Sequence, residues 1–247
     1  MWITHDVLAT VRVVVARDMP TLSPTLEQEV ERLWQAARRE HPHIFNGRVF
    51  SADEITPDLI RGHWTEFRRN LAQIRRPELH DDLGVRALAV NGVIRCREGV
   101  LIGRRNAHAV YCAGLWQLSP AGSVDQGAAK PDGTIDLARQ LLEEAQEELG
   151  LSPGLVVGFT PLCLVEHPET HVTDFGIEMR TSVSADTLLA THAALGNQEY
   201  EEMRVLPAAS VLSLGDDILP TVPVFLARLL ELDARRCPAN RQAPSAE

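Results

Sequence analysis

The chain has 247 residues, 45% of them hydrophobic, and a formal charge of -10. This length and composition allow a substantial core and fit one large domain or a domain with an extension. The acidic balance argues against a general nucleic-acid coat, because binding to a polyphosphate chain requires clustered cations. A small anionic substrate accompanied by a metal ion is still compatible with this charge.

The cysteines and the first apolar run indicate the cellular setting. The four cysteines are Cys96, Cys112, Cys163 and Cys237. They form no CxxC pair, which argues against a zinc knuckle or a disulfide framework. The apolar run 7–16 contains Arg12 and has no basic leader, so we expect neither a signal peptide nor a membrane span. A reducing, cytoplasmic location is therefore expected.

The N-terminal third predicts a β/α portion. The valine-rich segment 7–16 predicts a strand, and Ser23-Pro24 predicts the start of a helix that ends at His41-Pro42. Segment 47–55 predicts another strand, and segment 59–74 predicts a strand or turn that passes into a helix. We expect residues 1–80 to form an N-terminal β/α extension.

The rest of the chain predicts an α/β/α sandwich. Segment 84–105 predicts a β-hairpin, and Trp116–Leu118 predicts a short strand. A loop rich in Pro and Gly then leads to a helix that is expected to start near Thr134 or Asp136 and to be capped by Gly150. Further strands are expected at 155–166, 172–181 and 202–207, with helices at 184–195 and 217–234. The domain should cover residues 81–236, followed by a disordered tail at 237–247.

Three carboxylates share one side of the predicted helix. Glu144, Glu147 and Glu148 lie at i, i+3 and i+4, away from the apolar stripe of Leu141, Leu142, Ala145 and Leu149. Such stacking destabilises a helix unless the charge is neutralised, and ligands that are all oxygen suit Mg²⁺ or Mn²⁺. The alternative is a solvated acidic surface, which is common on helices.

The loop and helix together resemble a Nudix box. The family pattern is G-x5-E-x7-R-E-U-x-E-E-x-G-U. Gly122 matches its glycine, and Glu144, Glu147, Glu148, Gly150 and Leu151 match its helical half in register. The resemblance implies a Nudix α/β/α sandwich with a mixed sheet. It also implies pyrophosphohydrolase activity, with Mg²⁺ or Mn²⁺ held by the three glutamates.

The chain departs from that pattern in the loop and at the start of the motif helix. Ala128 replaces the loop glutamate, about seven extra residues follow it, and Glu143 replaces the arginine. Arg139, one turn earlier, is expected to pair with Glu143. These changes keep open a non-catalytic Nudix-fold module that binds a nucleotide.

The N-terminal portion resembles the UDP-sugar pyrophosphatase branch of the family. The resemblance covers Leu33–Asn46, Gly62–Phe67 and Asp82–Val85. It implies hydrolysis of UDP-glucose or UDP-galactose to UMP and a sugar 1-phosphate. Diphosphatases for CoA, ADP-ribose or another nucleotide remain the alternative, and a homodimer is compatible with the family.

Several residues are candidates for substrate contacts. Phe45 and Trp64 match aromatic positions near the nucleobase, or else pack in the core. Arg105 is a candidate phosphate ligand, or else forms a surface salt bridge. Gln117, Gly122, Ser123 and Asp125 are candidates for contacts with ribose, sugar or a metal-bound water, or else have ordinary turn roles.

A further carboxylate is a candidate for the base that activates water. Glu144 and Glu147 are the candidates within the motif. Outside it, Glu166, Glu178 and Glu201 are candidates, each with the alternative of a solvated surface glutamate.

Overall fold

The computed structural model describes residues 2–109 and 111–236 of the chain. The predicted tail at 237–247 lies outside the described residues. The fold is α/β, as predicted, and contains two mixed sheets. No helix within the described ranges is long and apolar enough to cross a membrane.

The smaller sheet has the strand order β3-β4-β2-β9. Its strands are β2 (Arg12–Val15), β3 (Arg48–Ile55), β4 (Leu59–Glu66) and β9 (Thr134–Ile135). Strand β2 runs parallel to β4, whereas β3 and β9 are antiparallel to their neighbours. The predicted strand at 7–16 is shortened to Arg12–Val15, because the backbone turns where Val11 N donates to Leu8 O.

Three helices accompany the smaller sheet. They are α1 (Pro24–Glu40), α2 (Phe67–Arg75) and the short α3 (His80–Leu83). Helix α1 begins as predicted, because the Ser23 hydroxyl accepts from Leu26 N and Pro24 occupies the first turn. Trp34 of α1 packs edge-to-face on Phe67 at the start of α2.

The larger sheet has the order β1-β10-β11-β5-β6-β12, with β7 paired to β6 and β8 paired to β5. The strands are β1 (Ile3–His5), β5 (Leu88–Arg95), β6 (Val100–Arg105), β7 (Trp116–Leu118), β8 (Ala121–Ser123), β10 (Val156–Glu166), β11 (Thr173–Thr181) and β12 (Tyr200–Leu206). Strands β11 and β5 are parallel, and the remaining pairs are antiparallel.

Helices cover both faces of the larger sheet. They are α4 (Leu137–Leu149), α5 (Ala185–Leu195), the short α6 (Ala208–Leu212) and α7 (Thr221–Arg236). Leu141 of α4 packs with Val90, whereas Phe225 of α7 packs with Val93 in a separate core. Val90 and Val93 lie on opposite faces of β5, so the two faces of the sheet pack into different cores, which confirms the predicted α/β/α layering.

The closing helix starts later than predicted. It begins at Thr221 rather than 217, because Gly215–Asp217 form a 3-10 turn and Pro220 follows. A residue that precedes proline is disfavoured in helical conformation, so Leu219 cannot continue a helix easily.

The two sheets exchange strands across the predicted boundary near residue 80. Strand β1 joins the larger sheet, where Thr4 lies opposite Val165. Strand β9 joins the smaller sheet, where Ile135 lies opposite Val13. The extra loop residues before α4 thus provide a strand that attaches this loop to the N-terminal portion.

Candidate active site

A cavity of about 700 Å³ lies between two parts of the protein. On one side is the N-terminal portion, and on the other are the loop that precedes α4 and the exposed side of α4. Its lining falls into three groups. The first is the turn into β3 together with the start of α2, the second is the stretch from β8 to residue 127, and the third is one side of α4 together with residues 197 and 199. The cavity brings together Phe45, Gly122, Ser123, Asp125, Glu144, Glu147 and Glu148 from the predicted site.

Helix α4 directs the three glutamates into this cavity. The Asp136 side chain accepts from Arg139 N at the start of the helix, and Gly150, with φ 67°, ends it in the left-handed conformation. Leu141 and Ala145 are fully buried in the core on the opposite side. The amphipathic pattern thus fixes which side faces the cavity.

Glu148 is buried, with 5% of its surface exposed. The Tyr200 hydroxyl donates to its Oε2 at 2.7 Å, and the backbone N–H of Ala121 lies 3.3 Å from the same oxygen. Burial raises the pKa of Glu148 well above its ordinary range, although the hydrogen bond from Tyr200 opposes this shift. Glu148 is therefore a carboxyl group held in a fixed orientation at the back of the cavity.

Glu144 is half-buried beside Gly122. The side-chain amide of Gln140 donates to its Oε1 at 2.9 Å. Burial raises the pKa of Glu144 to about 7, and repulsion from Glu147 and Asp125 adds to the shift. The local charge is therefore negative enough to favour binding of either a proton or a cation.

The chemistry of these side chains fits a hard divalent cation. Carboxylate oxygens are the preferred ligands of Mg²⁺ and Mn²⁺, and the repulsion around Glu144 would be relieved by such an ion. Within residues 2–109 and 111–236, no three His, Cys, Asp or Glu side chains are already gathered closely enough to hold a metal. Glu147 is exposed and lines the cavity with Glu144 and Glu148, so these three carboxylates are the side chains that would hold such an ion.

The position at which the Nudix pattern has its loop glutamate lies in the core of this protein. Ala128 is fully buried in the same core as Leu141. A glutamate at that position would be desolvated, whereas alanine suits the local packing. Glu143 pairs with Arg139 at 2.9 Å, as the sequence predicted.

Glu199 is a cavity residue that the sequence analysis missed. It lines the cavity and forms a salt bridge with Arg105 at 3.1 Å. Its neighbour Glu201, the predicted candidate, instead accepts from Ala107 N outside this cavity. Alternation alone would place these two glutamates on the same side of a regular strand. Glu199 precedes β12, however, and the pairing of β12 shifts register between 200 and 202, so the two side chains meet different partners.

The other two candidate bases lie elsewhere. Glu166 bonds with Arg86, His5 and His171 at the joint between β1 and β10. Glu178 is fully buried and pairs with Arg236 at 2.8 Å. Neither residue lines the cavity.

Arg105 and Gln117 do not line the cavity but lie behind it. Arg105 Nη1 donates to Gln117 Oε1 at 3.0 Å, and Arg105 Nε donates to the Tyr111 carbonyl at 2.9 Å. These contacts, with the salt bridge to Glu199, direct the guanidinium group into the protein. Direct contact of these two residues with substrate stays a prediction.

The aromatic candidates are separated. Phe45 is 78% exposed at the edge of the cavity, whereas Trp64 packs edge-to-face on Phe50 in the core. Trp64 lies within β4, whose core face it shares with Ile60, so it is directed away from the cavity. Phe67, where the chain leaves β4 and enters α2, is the second aromatic residue that lines the cavity.

The cavity also has basic groups that the sequence analysis missed. Arg48 at the start of β3 and His43 in the preceding turn both line it and are exposed. Their position follows from the contact of β3 with the loop, where Phe50 N donates to Val124 O at 2.8 Å. Asp125 accepts from Gly127 N at 2.6 Å and so has the predicted turn role as well as a place in the cavity.

No protein-family model and no curated protein matches the chain in sequence. Among solved structures, a protein from Deinococcus radiodurans is 16% identical, with 73% of this chain and 98% of that chain covered and a TM-score of 0.46. The MutT protein from Methanosarcina mazei is 21% identical, with 61% and 94% covered and a TM-score of 0.41. A MutT Nudix hydrolase from Burkholderia pseudomallei is 16% identical, with 58% and 97% covered and a TM-score of 0.40. These similarities are too distant to assign an activity to this chain.

Proposed function

We propose that the chain is a divalent-cation-dependent hydrolase that cleaves a diphosphate within a nucleoside diphosphate linked to another moiety. The observation that carries this proposal is the shared cavity, where Glu144, Glu147, Glu148 and Glu199 face a space large enough for a nucleotide. An anionic substrate would be repelled from these carboxylates unless a cation accompanied it. Mg²⁺ or Mn²⁺, when bound, would polarise the diphosphate and lower the pKa of water.

The proposed hydrolysis assigns separate roles to the residues of the cavity. Water would add to one phosphorus atom, the bond from that atom to the bridging oxygen would break, and the bridging oxygen would leave with the other phosphate. The proton from water would pass to a carboxylate, for which Glu144 and Glu147 are the candidates on α4. Arg48 is the candidate for contact with a phosphate group, because this exposed residue lines the cavity and carries a guanidinium group.

The proposed substrate is a UDP-sugar, cleaved to UMP and a sugar 1-phosphate. Phe45 and Phe67 line the cavity on the N-terminal side, opposite the carboxylates of α4. A flat nucleobase stacks favourably on such aromatic rings. The resemblance of Leu33–Asn46 and Gly62–Phe67 to the UDP-sugar branch supports uridine over adenosine, so diphosphatase activity on CoA or ADP-ribose is the alternative.

A nucleotide-binding module without catalysis is the second candidate. The burial of Ala128 favours it, because that position cannot supply the carboxylate of the loop. Such a protein would bind the same ligand in the same cavity. It would differ only in lacking turnover.

A substrate panel separates these functions. UDP-glucose, UDP-galactose, ADP-ribose and CoA are incubated with the protein, with Mg²⁺, with Mn²⁺ or with chelator, and products are identified by mass. Formation of UMP and sugar 1-phosphate that depends on the metal is the expected result. No product from any compound with either metal would refute the hydrolase, and ligand binding without turnover would then support the module.

The variant Glu148→Gln tests the role of the glutamates. We expect turnover to fall by about 100-fold or more, because a carboxylate near the reacting groups is lost. Glu143→Gln is the matched control on the same helix, since Glu143 pairs with Arg139 and does not line the cavity. Equal turnover in both variants and the unmodified protein would contradict the assigned role.

A further inference from the structure

A chain of hydrogen bonds connects Arg105 to the carboxylate of Glu148. Arg105 Nη1 donates to Gln117 Oε1 at 3.0 Å, Gln117 Nε2 donates to the Tyr200 hydroxyl at 2.8 Å, and that hydroxyl donates to Glu148 Oε2 at 2.7 Å. Gln117, Tyr200 and Glu148 are all buried, with 3%, 4% and 5% of their surface exposed. We call these four residues the Arg105 relay.

The direction of the Arg105 relay is fixed by its first member. A guanidinium group has donors but no acceptor, so it orients the Gln117 amide with the carbonyl oxygen towards Arg105. The amide nitrogen is then directed at Tyr200, whose oxygen accepts. The single hydroxyl proton of Tyr200 is left for Glu148.

The packing of Tyr200 reinforces this geometry. A β-carbon at position 103 would stand 2.4 Å from Cδ1 of the Tyr200 ring, so the ring lies directly against the backbone of Gly103 in β6. Tyr200 lies in β12 and Arg105 in β6, and the two residues are opposite each other in the pairing of these strands. Neighbouring strands therefore hold Arg105 and Tyr200 in register with each other.

We propose that Tyr200 and Gln117 are positioning residues that hold the Glu148 carboxylate for metal binding, and that Arg105 anchors them rather than binding phosphate. The inference rests on the proposed function for the role of Glu148. Arg105 also holds Glu199 directly, so one guanidinium group supports two carboxylates of the cavity. Groups that orient metal ligands typically contribute about 10- to 100-fold to metal affinity or activity.

Binding of Mn²⁺ tests the relay separately from turnover. The Mn²⁺ dissociation constant is measured by electron paramagnetic resonance for the unmodified protein and for Tyr200→Phe, which keeps the ring against Gly103 but lacks the hydroxyl. We expect Tyr200→Phe to raise that constant by about 10- to 100-fold. Tyr111→Phe is the matched control, since the Tyr111 hydroxyl lies outside the relay, and it should leave the constant unchanged.

A second variant tests the direction of the relay. In Gln117→Glu the new carboxylate still accepts from Arg105, but it can only accept from Tyr200 and so draws the hydroxyl proton away from Glu148. This variant should weaken Mn²⁺ binding as Tyr200→Phe does. With a substrate that the protein hydrolyses, both variants should lower kcat more than they raise KM. A residue that contacts the substrate equally in the ground state and the transition state would, when replaced, mainly raise KM.

The outcomes distinguish the relay from the proposed function. A Mn²⁺ dissociation constant in Tyr200→Phe within twofold of the unmodified protein would overturn the relay, as would an equal effect of Tyr111→Phe. Absence of Mn²⁺ binding by the unmodified protein would overturn it as well. If Mn²⁺ binding shows the expected pattern but the substrate panel gives no product, the hydrolase is refuted and the relay holds.

Discussion

Gly122 lies directly against the carboxylate of Glu144. A β-carbon at position 122 would stand 2.0 Å from Glu144 Oε1 and 2.2 Å from Cδ. The backbone at Gly122 cannot retreat easily, because β8 pairs with β5, with Gly122 opposite Val90. A side chain at this position would therefore displace the carboxylate rather than the strand.

The variant Gly122→Ala should lower turnover by about tenfold or more, because a displacement of about 1 Å at a reacting group is costly. Its free energy of unfolding should change by only about 1 kcal/mol, since the end of a flexible side chain moves. Turnover and chemical denaturation measure the two effects. Gly154→Ala is the control, since a β-carbon there meets nothing within 4 Å. Full turnover in Gly122→Ala would show that the position of the Glu144 carboxylate is unimportant.

Glu144 should make stability depend on pH in the absence of metal. Burial raises its pKa from 4.5 to about 7, so between these values the folded protein binds a proton that the unfolded chain has lost. Stability therefore falls as the pH rises through this window, by up to roughly 3 kcal/mol. Glu144→Gln removes the effect, so the variant should be more stable than the unmodified protein at pH 8 and equally stable near pH 4.

Denaturant unfolding in the presence of a chelator, repeated across this pH range, measures the prediction. Addition of Mn²⁺ at pH 8 should stabilise the unmodified protein more than Glu144→Gln, because ligand binding to the folded state adds to stability. A stability difference between the two proteins that is constant from pH 4 to pH 8 would rule out the assigned cause.

Glu199 and Glu201 offer a matched comparison two residues apart. We expect Glu199→Gln to reduce turnover by about 10- to 100-fold, because a carboxylate of the cavity and its salt bridge with Arg105 are lost. Glu201→Gln should have no effect on turnover, since Glu201 is exposed and an amide oxygen can still accept from Ala107 N. Steady-state kinetics of both variants, with a substrate that the unmodified protein hydrolyses, measure these effects. A larger loss of turnover in Glu201→Gln than in Glu199→Gln would assign the catalytic role to Glu201 instead.

Replacing Phe45 should affect substrate binding, whereas replacing Trp64 should affect the stability of the fold. Phe45→Ala should raise KM about tenfold, because stacking on a base contributes roughly 1–3 kcal/mol, with little effect on unfolding since the ring is 78% exposed. Trp64→Ala should instead destabilise the protein by about 3 kcal/mol through loss of packing on Phe50. An unchanged KM in Phe45→Ala would remove this ring from substrate binding.

The sequence predicted most of the fold because its signals are local. Ser23 and Gly150 marked the ends of α1 and α4, and the spacing of Glu144, Glu147 and Glu148 placed them on one side of a helix. Hydrogen-bond partners across the sheet are not local. From its residue type alone, Arg105 could bind a phosphate group or donate to Gln117. Which partner it contacts depends on the pairing of β6 with β7 and β12.

The same reasoning explains why Glu199 and Arg48 were missed. Glu199 precedes a strand whose pairing shifts register, so alternation does not predict which glutamate faces the cavity. Arg48 reaches the cavity only because β3 lies beside the loop at Val124. Neither relationship leaves a pattern in the sequence.

The pairing of β9 with β2 has a consequence for how this protein can change. The loop that carries Gly122 and Asp125 continues into a strand of the N-terminal sheet, where Thr134 lies opposite Val14. Removing the first 80 residues would strip this strand of its partner and expose an unpaired edge. The N-terminal portion thus helps to hold the loop beside the carboxylate cavity, so replacing side chains such as Phe45 would alter ligand preference with less disruption than exchanging the whole portion.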